Sequence, residues 1–177
     1  LKASVAYGRA IEGNYFHDTE KTDAYIGTLG YTAGVVNMDA AYYVFKDYTP
    51  AYDDLKMGTV GANGEIAKNL NLGAEYLKAD AAAISDDDGY VVTASYKGAK
   101  ASKVGSWGLV AKYYDQGATT YADHTMNGLA DDMLGFKGYS VFANYTFAKN
   151  IVGQVEYYDL KDKVTDINLD TAAGNEF

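Results

Sequence analysis

Cysteine is absent from this sequence of 177 residues, proline occurs once and histidine twice. The lack of cysteine excludes disulfide and thiolate-metal chemistry. No apolar run approaches the roughly 18 consecutive residues that a transmembrane helix needs, and the mean hydropathy of -0.25 is typical of a water-exposed chain. Excess basic charge is missing too, because the net charge is -9, and a nucleic-acid-binding surface must be basic. Helical membrane spans and nucleic acid as a partner are therefore excluded.

Catalytic side chains are equally scarce. The histidines are His17 and His124, both in expected loops, and neither a G-x-S-x-G motif nor a phosphate-binding glycine motif occurs. The run Asp86-Asp87-Asp88-Gly89 could bind a divalent cation between strands, but it lacks the spaced ligands of a calcium loop, and an acidic solvated tip is the simpler interpretation. We predict no enzyme, no metal and no cofactor.

Tyrosine and glycine are abundant, with 18 and 19 copies, and the dominant pattern has a period of two. An aliphatic residue, an alanine two positions on and a tyrosine two further on recur at 38–42, 72–76, 92–96, 109–113 and 141–145. The alternation predicts an all-β chain with nine strands. We place them at about 1–10, 22–34, 36–48, 56–67, 69–80, 88–98, 105–115, 137–147 and 150–161.

The links between these strands alternate in length. Short links lie near 34–35, 67–69, 99–104 and 148–150, and long links at 11–21, 49–55, 81–87, 116–136 and from 162 onward. Short turns on one rim and long loops on the other are typical of bacterial outer-membrane barrels. The charges of the short links are all positive, while most acidic residues fall in or beside the long ones. The two rims are therefore expected to face different compartments.

The alternation further predicts a transmembrane antiparallel up-and-down barrel, since strands in lipid must pair on both sides. One parity is apolar and would face lipid, whereas the other is polar and would face water. The predicted pore-lining charges are Lys2, Asp39, Glu65, Glu75, Lys97, Lys112 and Glu156. The acidic loops would enrich cations at the mouth, which predicts a mild cation preference.

Tyrosines on the apolar parity are spaced as two aromatic girdles. Tyr25 and Tyr31 lie six residues apart on one strand, which is roughly 20 Å at about 3.3 Å per residue and close to the height of a lipid-facing band. Trp107 falls near the lower girdle. The predicted girdle residues are Tyr25, Tyr31, Tyr42, Tyr76, Tyr90, Tyr96, Tyr113, Tyr139, Tyr145 and Tyr157.

The longest link, 116–136, is the candidate for a loop that folds into the pore and constricts it. It carries Asp123, His124, Asp131 and Asp132. An exposed surface loop is an equally good interpretation of the same residues. A sugar-specific channel also stays open, because Tyr43, Phe45, Phe142 and Tyr158 have inward parity and could form an aromatic track.

The tyrosine-rich meander, the Asp-rich loops and the segment Val155-Glu156-Tyr157-Tyr158-Asp159-Leu160-Lys161 resemble the bacterial outer-membrane porins of the OmpM type. Those porins join a barrel to an upstream S-layer-homology domain that grips the cell wall; no such segment occurs here, and no residue role carries over. The resemblance implies a homotrimeric general-diffusion channel in the bacterial outer membrane, in contact with outer-leaflet lipids and linked to the cell wall through another domain.

Residues 1–177 are expected to be one barrel domain. Nine strands is an odd number, whereas bacterial barrels usually have an even one. We therefore expect a larger barrel of about 16 strands, the size that leaves an aqueous channel, with an export signal upstream. Two alternatives remain: a structural barrel that tethers the membrane to the cell wall, and a soluble or surface-layer β protein that needs no detergent.

Overall fold

The structure, a computed structural model, describes residues 1–13, 19–49, 52–80, 87–120 and 135–163. These residues form nine β-strands, and the described part of the chain contains no helix long and apolar enough to cross a membrane. The strands are β1 (Lys2–Gly13), β2 (Thr19–Ala33), β3 (Val36–Thr49), β4 (Tyr52–Ala67), β5 (Leu70–Asp80), β6 (Asp88–Lys97), β7 (Trp107–Gln116), β8 (Phe136–Ala148) and β9 (Ile151–Asp162).

All nine strands belong to one sheet, in the order in which they occur along the chain. Every pairing is antiparallel and joins sequence neighbours, so the predicted all-β, up-and-down meander of nine strands is confirmed. Within the described ranges, β1 and β9 each pair with one neighbouring strand.

The short turns owe their shape to residues that tolerate a positive φ. Gly34, Asn69 and Asn150 have φ angles of 61°, 61° and 66°, and asparagine is the residue that adopts this region most readily after glycine. Both asparagines follow a lysine, and in both hairpins the register shifts by one residue just before the turn. The predicted short links at 34–35, 67–69 and 148–150 are thus confirmed.

Five of the nine strands are longer than the sequence pattern predicted, mainly at the ends that meet the long links, whereas β5, β6 and β7 are each one residue shorter. β1 continues to Gly13 and β4 begins at Tyr52. Cross-strand ion pairs lie at these ends of the strands, including Arg9 Nε to Asp23 Oδ1 at 2.6 Å and Lys46 Nζ to Asp54 Oδ2 at 2.7 Å. Pairing therefore continues into polar segments where the apolar alternation has stopped.

The register separates two faces of the sheet. The face we call the tyrosine face carries all ten predicted girdle tyrosines together with residues such as Leu29, Val60, Leu109 and Val155. The opposite, polar face carries Ser4, Thr28, Asn63 and Thr93 among others. The parity assignment made from the sequence is therefore confirmed by strand pairing.

A glycine on the polar face is required by its neighbours. Gly138 has a φ of 149°, and a Cβ atom there would clash with the Asp159 carbonyl oxygen. We expect Gly138→Ala to destabilise the fold by about 1–3 kcal/mol, since the backbone must move. Urea unfolding of the variant and the native protein measures the loss. Gly8→Ala is the matched control on the same face, because a Cβ at Gly8 meets nothing within 4 Å; equal midpoints for both variants would contradict the prediction.

Candidate functional site

The polar face is concave across its first five strands. Residues of β1, β2, β3, β4 and β5 line one cavity of about 710 Å³, in which Lys2 of the first strand and Glu75 of the fifth both take part. A flat sheet would keep β1 and β5 roughly 19 Å apart, at about 4.8 Å per strand. A second cavity of about 370 Å³ continues this surface towards Thr93 and Ser95 on β6. The predicted pore-lining parity thus faces the hollow side of the sheet.

Three of the predicted pore-lining charges stand in one row across the hollow. The register runs from Lys2 to Gly30, then to Asp39, Gly61 and Glu75, so each charged residue alternates with a glycine. A Cβ at Gly61 would lie 3.1 Å from Asp39 Oδ2. The missing side chain therefore gives the carboxylate room to lie over the backbone of β4.

The other end of the polar face carries Lys112 and Glu156, each next to an aromatic ring. Lys112 Nζ lies 5.8 Å from the centre of the Phe142 ring. The Tyr158 hydroxyl donates a hydrogen bond of 2.9 Å to Glu156 Oε2, and the Tyr158 and Phe142 rings meet edge to face at 5.5 Å. Lys112 and Glu156 are thus each held beside one ring of the same aromatic pair.

The four aromatic residues with inward parity form two pairs rather than one track. The Tyr43 and Phe45 rings are parallel within 2° and 6.4 Å apart on β3, whereas Phe142 and Tyr158 lie on β8 and β9. Four strands separate the two pairs. A continuous aromatic track along the described strands is therefore not formed by these residues alone.

An apolar collar on the polar face was missed by the sequence reasoning. Seven hydrophobic residues are buried there, towards the long links. They form two clusters, and the partly buried Val91 packs against both. Their parity indicates this face, but it does not tell whether the side chains are buried. The collar consists of Leu55, Met57, Leu77, Ala79, Tyr114, Phe136 and Leu160.

The link that follows β7 turns back over the polar face. The Thr120 hydroxyl donates to Gln116 Oε1 at 3.0 Å, and Gln116 has polar-face parity. Gly117 N donates to the Asp88 carbonyl oxygen, and the Thr120 side chain is fully buried. The described start of the longest link therefore lies on the hollow side. The constriction candidates Asp123, His124, Asp131 and Asp132 lie outside the described residues.

The remaining two predicted pore-lining charges, Glu65 and Lys97, border the short-turn rim, which we define as residues 34–35, 68–69, 98–106 and 149–150. Glu65 Oε1 accepts a hydrogen bond of 2.8 Å from the Asn69 amide. Lys97 has a φ of 58°, and its Nζ lies 4.2 Å from the Trp107 ring centre and 5.2 Å from that of Tyr96. Both rings belong to the tyrosine face. The positive φ of Lys97 therefore places its ammonium group beside these rings, at the rim.

The tyrosine face is apolar and exposed. Val155 is 73% exposed, and small or aliphatic residues fill the space between two rows of aromatic rings. Rings of adjacent strands pack in both rows, including Tyr90 with Tyr113 at 6.1 Å and Tyr96 with Trp107 at 5.8 Å. A contiguous exposed apolar surface of this kind marks contact with a lipid phase or a protein partner.

Acidic side chains towards the long links are held in ion pairs. Lys78 Nζ contacts Asp87 Oδ1 at 2.5 Å, and the hydrogen bond from Lys78 lowers the pKa of the Asp87 carboxyl below its ordinary value. Within the described ranges, no three carboxylate or imidazole groups come together as metal ligands. The described part of the acidic run at 86–88 is thus engaged in ion pairing and strand contacts.

In a comparison with known proteins, no protein-family model matches the chain, and no curated protein matches it.

Proposed function

We propose that the protein is an outer-membrane porin, a water-filled channel for passive diffusion of ions and small hydrophilic solutes. One observation carries the proposal: large apolar and tyrosine side chains are exposed on the convex face, while the hollow face holds the charged row and the polar side chains. A water-soluble protein buries its apolar face, whereas a lipid-embedded barrel exposes it. The two tyrosine rows fit the two interfaces of a bilayer.

The hollow face supplies a path for water and ions. Asp39 and Glu75 lie beside a cavity of about 710 Å³, and acidic groups in a narrow aqueous passage attract cations and repel anions. The apolar collar and the link after β7 narrow the passage towards the long-loop side and set an upper size for solutes. A mild cation preference follows from this arrangement.

In lipid, the outer edges of β1 and β9 need partners, because unpaired backbone groups are costly there. Pairing with further strands would complete a barrel of about 16 strands and satisfy both edges. Trimer assembly in the bacterial outer membrane and a cell-wall link through another domain are part of the proposal by resemblance to OmpM-type porins.

Single-channel recording of the full-length, detergent-folded protein in a planar bilayer tests the proposal. We expect discrete conductance steps. In a potassium chloride gradient, we expect a reversal potential whose sign shows that cations pass more readily than anions. A reversal potential that favours anions would contradict the cation preference alone.

A structural barrel that tethers the outer membrane to the cell wall is the second candidate, favoured by the apolar collar across the hollow face. A folded, heat-modifiable protein without conductance steps would favour it over the channel. A protein that stays monomeric in water without detergent would instead favour a soluble or surface-layer β protein, since the tyrosine face should aggregate in water.

A further inference from the structure

The short-turn rim carries a concentration of lysines, and Glu65 of the adjoining strand borders it. Its four links contain Lys68, Lys100, Lys103 and Lys149, and Lys97 ends the adjoining strand. All five side chains are exposed. Because the net charge of the chain is -9, a basic rim is a local departure from the character of the whole molecule.

Hydrogen bonds hold three of these lysines in one fixed structure. The Asn150 amide donates to the Ala101 carbonyl oxygen at 2.8 Å, and this bond ties the Lys149 turn to the link that carries Lys100 and Lys103. Within that link, Ser106 Oγ accepts from the Lys100 amide at 2.7 Å and donates to the Lys103 carbonyl oxygen at 2.6 Å. The backbone thus gathers lysines from two separate links.

The two rims differ in how their positive charges are neutralised. Towards the long links, Arg9, Lys46, Lys78 and Lys163 each contact an aspartate. Among the described residues, no ion pair involves a lysine of the short-turn rim. Glu65 balances only part of the charge of these lysines, and an external anion would balance the rest. The rim is therefore a surface for a negatively charged partner.

A cavity at this rim has the composition of a headgroup site. It measures about 630 Å³ and is lined by Lys97, Lys100, Lys103 and Trp107, with Glu65 and Asn69 on its other side. Glu65 already accepts a hydrogen bond from the Asn69 amide, whereas the lysine ammonium groups are open to a ligand. Trp107 and Tyr96, whose rings Lys97 Nζ contacts, belong to the row of tyrosine-face rings nearer this rim.

We infer that the short-turn rim binds the phosphate groups of anionic phospholipids in the adjacent leaflet. This inference rests on the proposed function, because it requires the tyrosine face to lie in lipid. Two features favour a lipid over a free anion: the positive charge of the rim, and the continuity of the apolar surface through Trp107 to the lysines. The acyl chain of a phospholipid would contact the apolar surface, and its phosphate would contact the lysines.

Trp107 is the only tryptophan of the 177 residues and lies within the cavity, so brominated lipids that quench its fluorescence report on this site. The full-length protein is reconstituted in dioleoylphosphatidylcholine with dibrominated phosphatidylglycerol or dibrominated phosphatidylcholine, and a Trp107→Phe variant supplies the background. We expect phosphatidylglycerol to bind at least threefold more tightly than phosphatidylcholine. The ratio of the phosphatidylglycerol affinity to the phosphatidylcholine affinity should fall towards one in 1 M salt. Inorganic phosphate at millimolar concentration should leave this ratio unchanged.

The triple variant Lys100→Glu, Lys103→Glu and Lys149→Glu should remove the preference for phosphatidylglycerol. The matched control is Lys56→Glu, Lys137→Glu and Lys161→Glu, an equal change in charge at exposed lysines of the opposite rim, which should keep it. Equal quenching by both lipids in the native protein, or the same loss in both triple variants, would overturn the inference. Competition by inorganic phosphate would identify a free-anion site instead and would overturn it too. Absence of quenching by either lipid would contradict the proposed membrane insertion itself.

Discussion

Ala94→Arg is expected to destabilise the protein in a bilayer by about 2–4 kcal/mol, whereas Ser95→Arg is tolerated. Ala94 lies on the tyrosine face between Leu72 and Ala111, inside the two tyrosine rows. An arginine near the middle of the lipid-facing band of a barrel costs about 2–4 kcal/mol. Ser95 is the next residue of β6, faces the hollow side and lines a cavity with Asn71 and Glu75. Its side chain already meets polar neighbours.

The two variants form a matched pair, because they exchange residues of similar size on one strand for the same charged group. Urea unfolding from phosphatidylcholine vesicles compares their free energies of unfolding with that of the native protein, and Ala94→Gln separates the effect of charge from that of size. We expect a loss of about 2–4 kcal/mol for Ala94→Arg alone. Equal losses at 94 and 95 would mean that the tyrosine face does not contact lipid.

Replacing both Asp39 and Glu75 by lysine should reverse the ion preference of the channel. The two carboxylates flank Gly61 in one row across the hollow face, and Lys2 already occupies its end. Exchanging two negative charges for two positive ones, at roughly 10 Å from a passing ion, changes the cation-to-anion permeability ratio by about two orders of magnitude in water without salt and by about tenfold in 0.1 M salt, where the charges are screened. The sign of the reversal potential in a salt gradient measures the change.

Asp88→Lys with Asp159→Lys is the control for this reversal, since both positions have tyrosine-face parity near the long links and the charge change is equal. Lysine there can reach water along its own stem. We expect the control variant to remain cation-selective, with a cation-to-anion permeability ratio at most slightly below that of the native protein. A reversal in both variants would assign selectivity to overall charge rather than to the row of Asp39 and Glu75.

Strand positions and faces could be predicted from the sequence because one rule governs them. In a sheet with unlike faces, side chains must alternate, so Tyr90 and Tyr96 had to share a face with Leu109 and Val141. The strand ends at the long links were placed short, as at Tyr52, because polar residues there interrupt the apolar alternation while the backbone continues to pair.

Two parts of the candidate site could not be predicted as easily. The apolar collar obeys the same alternation, but the rule does not tell whether an inward residue such as Leu77 or Leu160 meets water or another apolar side chain. The position of Lys97 depends on a positive φ at the end of a strand, which period-two reasoning cannot supply. Its contact with Trp107 follows from that one dihedral angle.

The pairing of every strand with its sequence neighbours alone also bears on how such a sheet can change in size. Deletion of a hairpin such as Leu70–Lys97 brings its flanking strands together and duplication moves them apart, and in either case only ladders at the edges of the hairpin have to form anew. The number of hairpins then sets the width of the enclosed space, since a barrel's diameter grows with strand number. Genetic duplication of a single hairpin is therefore the smallest step by which this architecture widens. Each step leaves the tyrosine face on one side of the sheet and the polar face on the other.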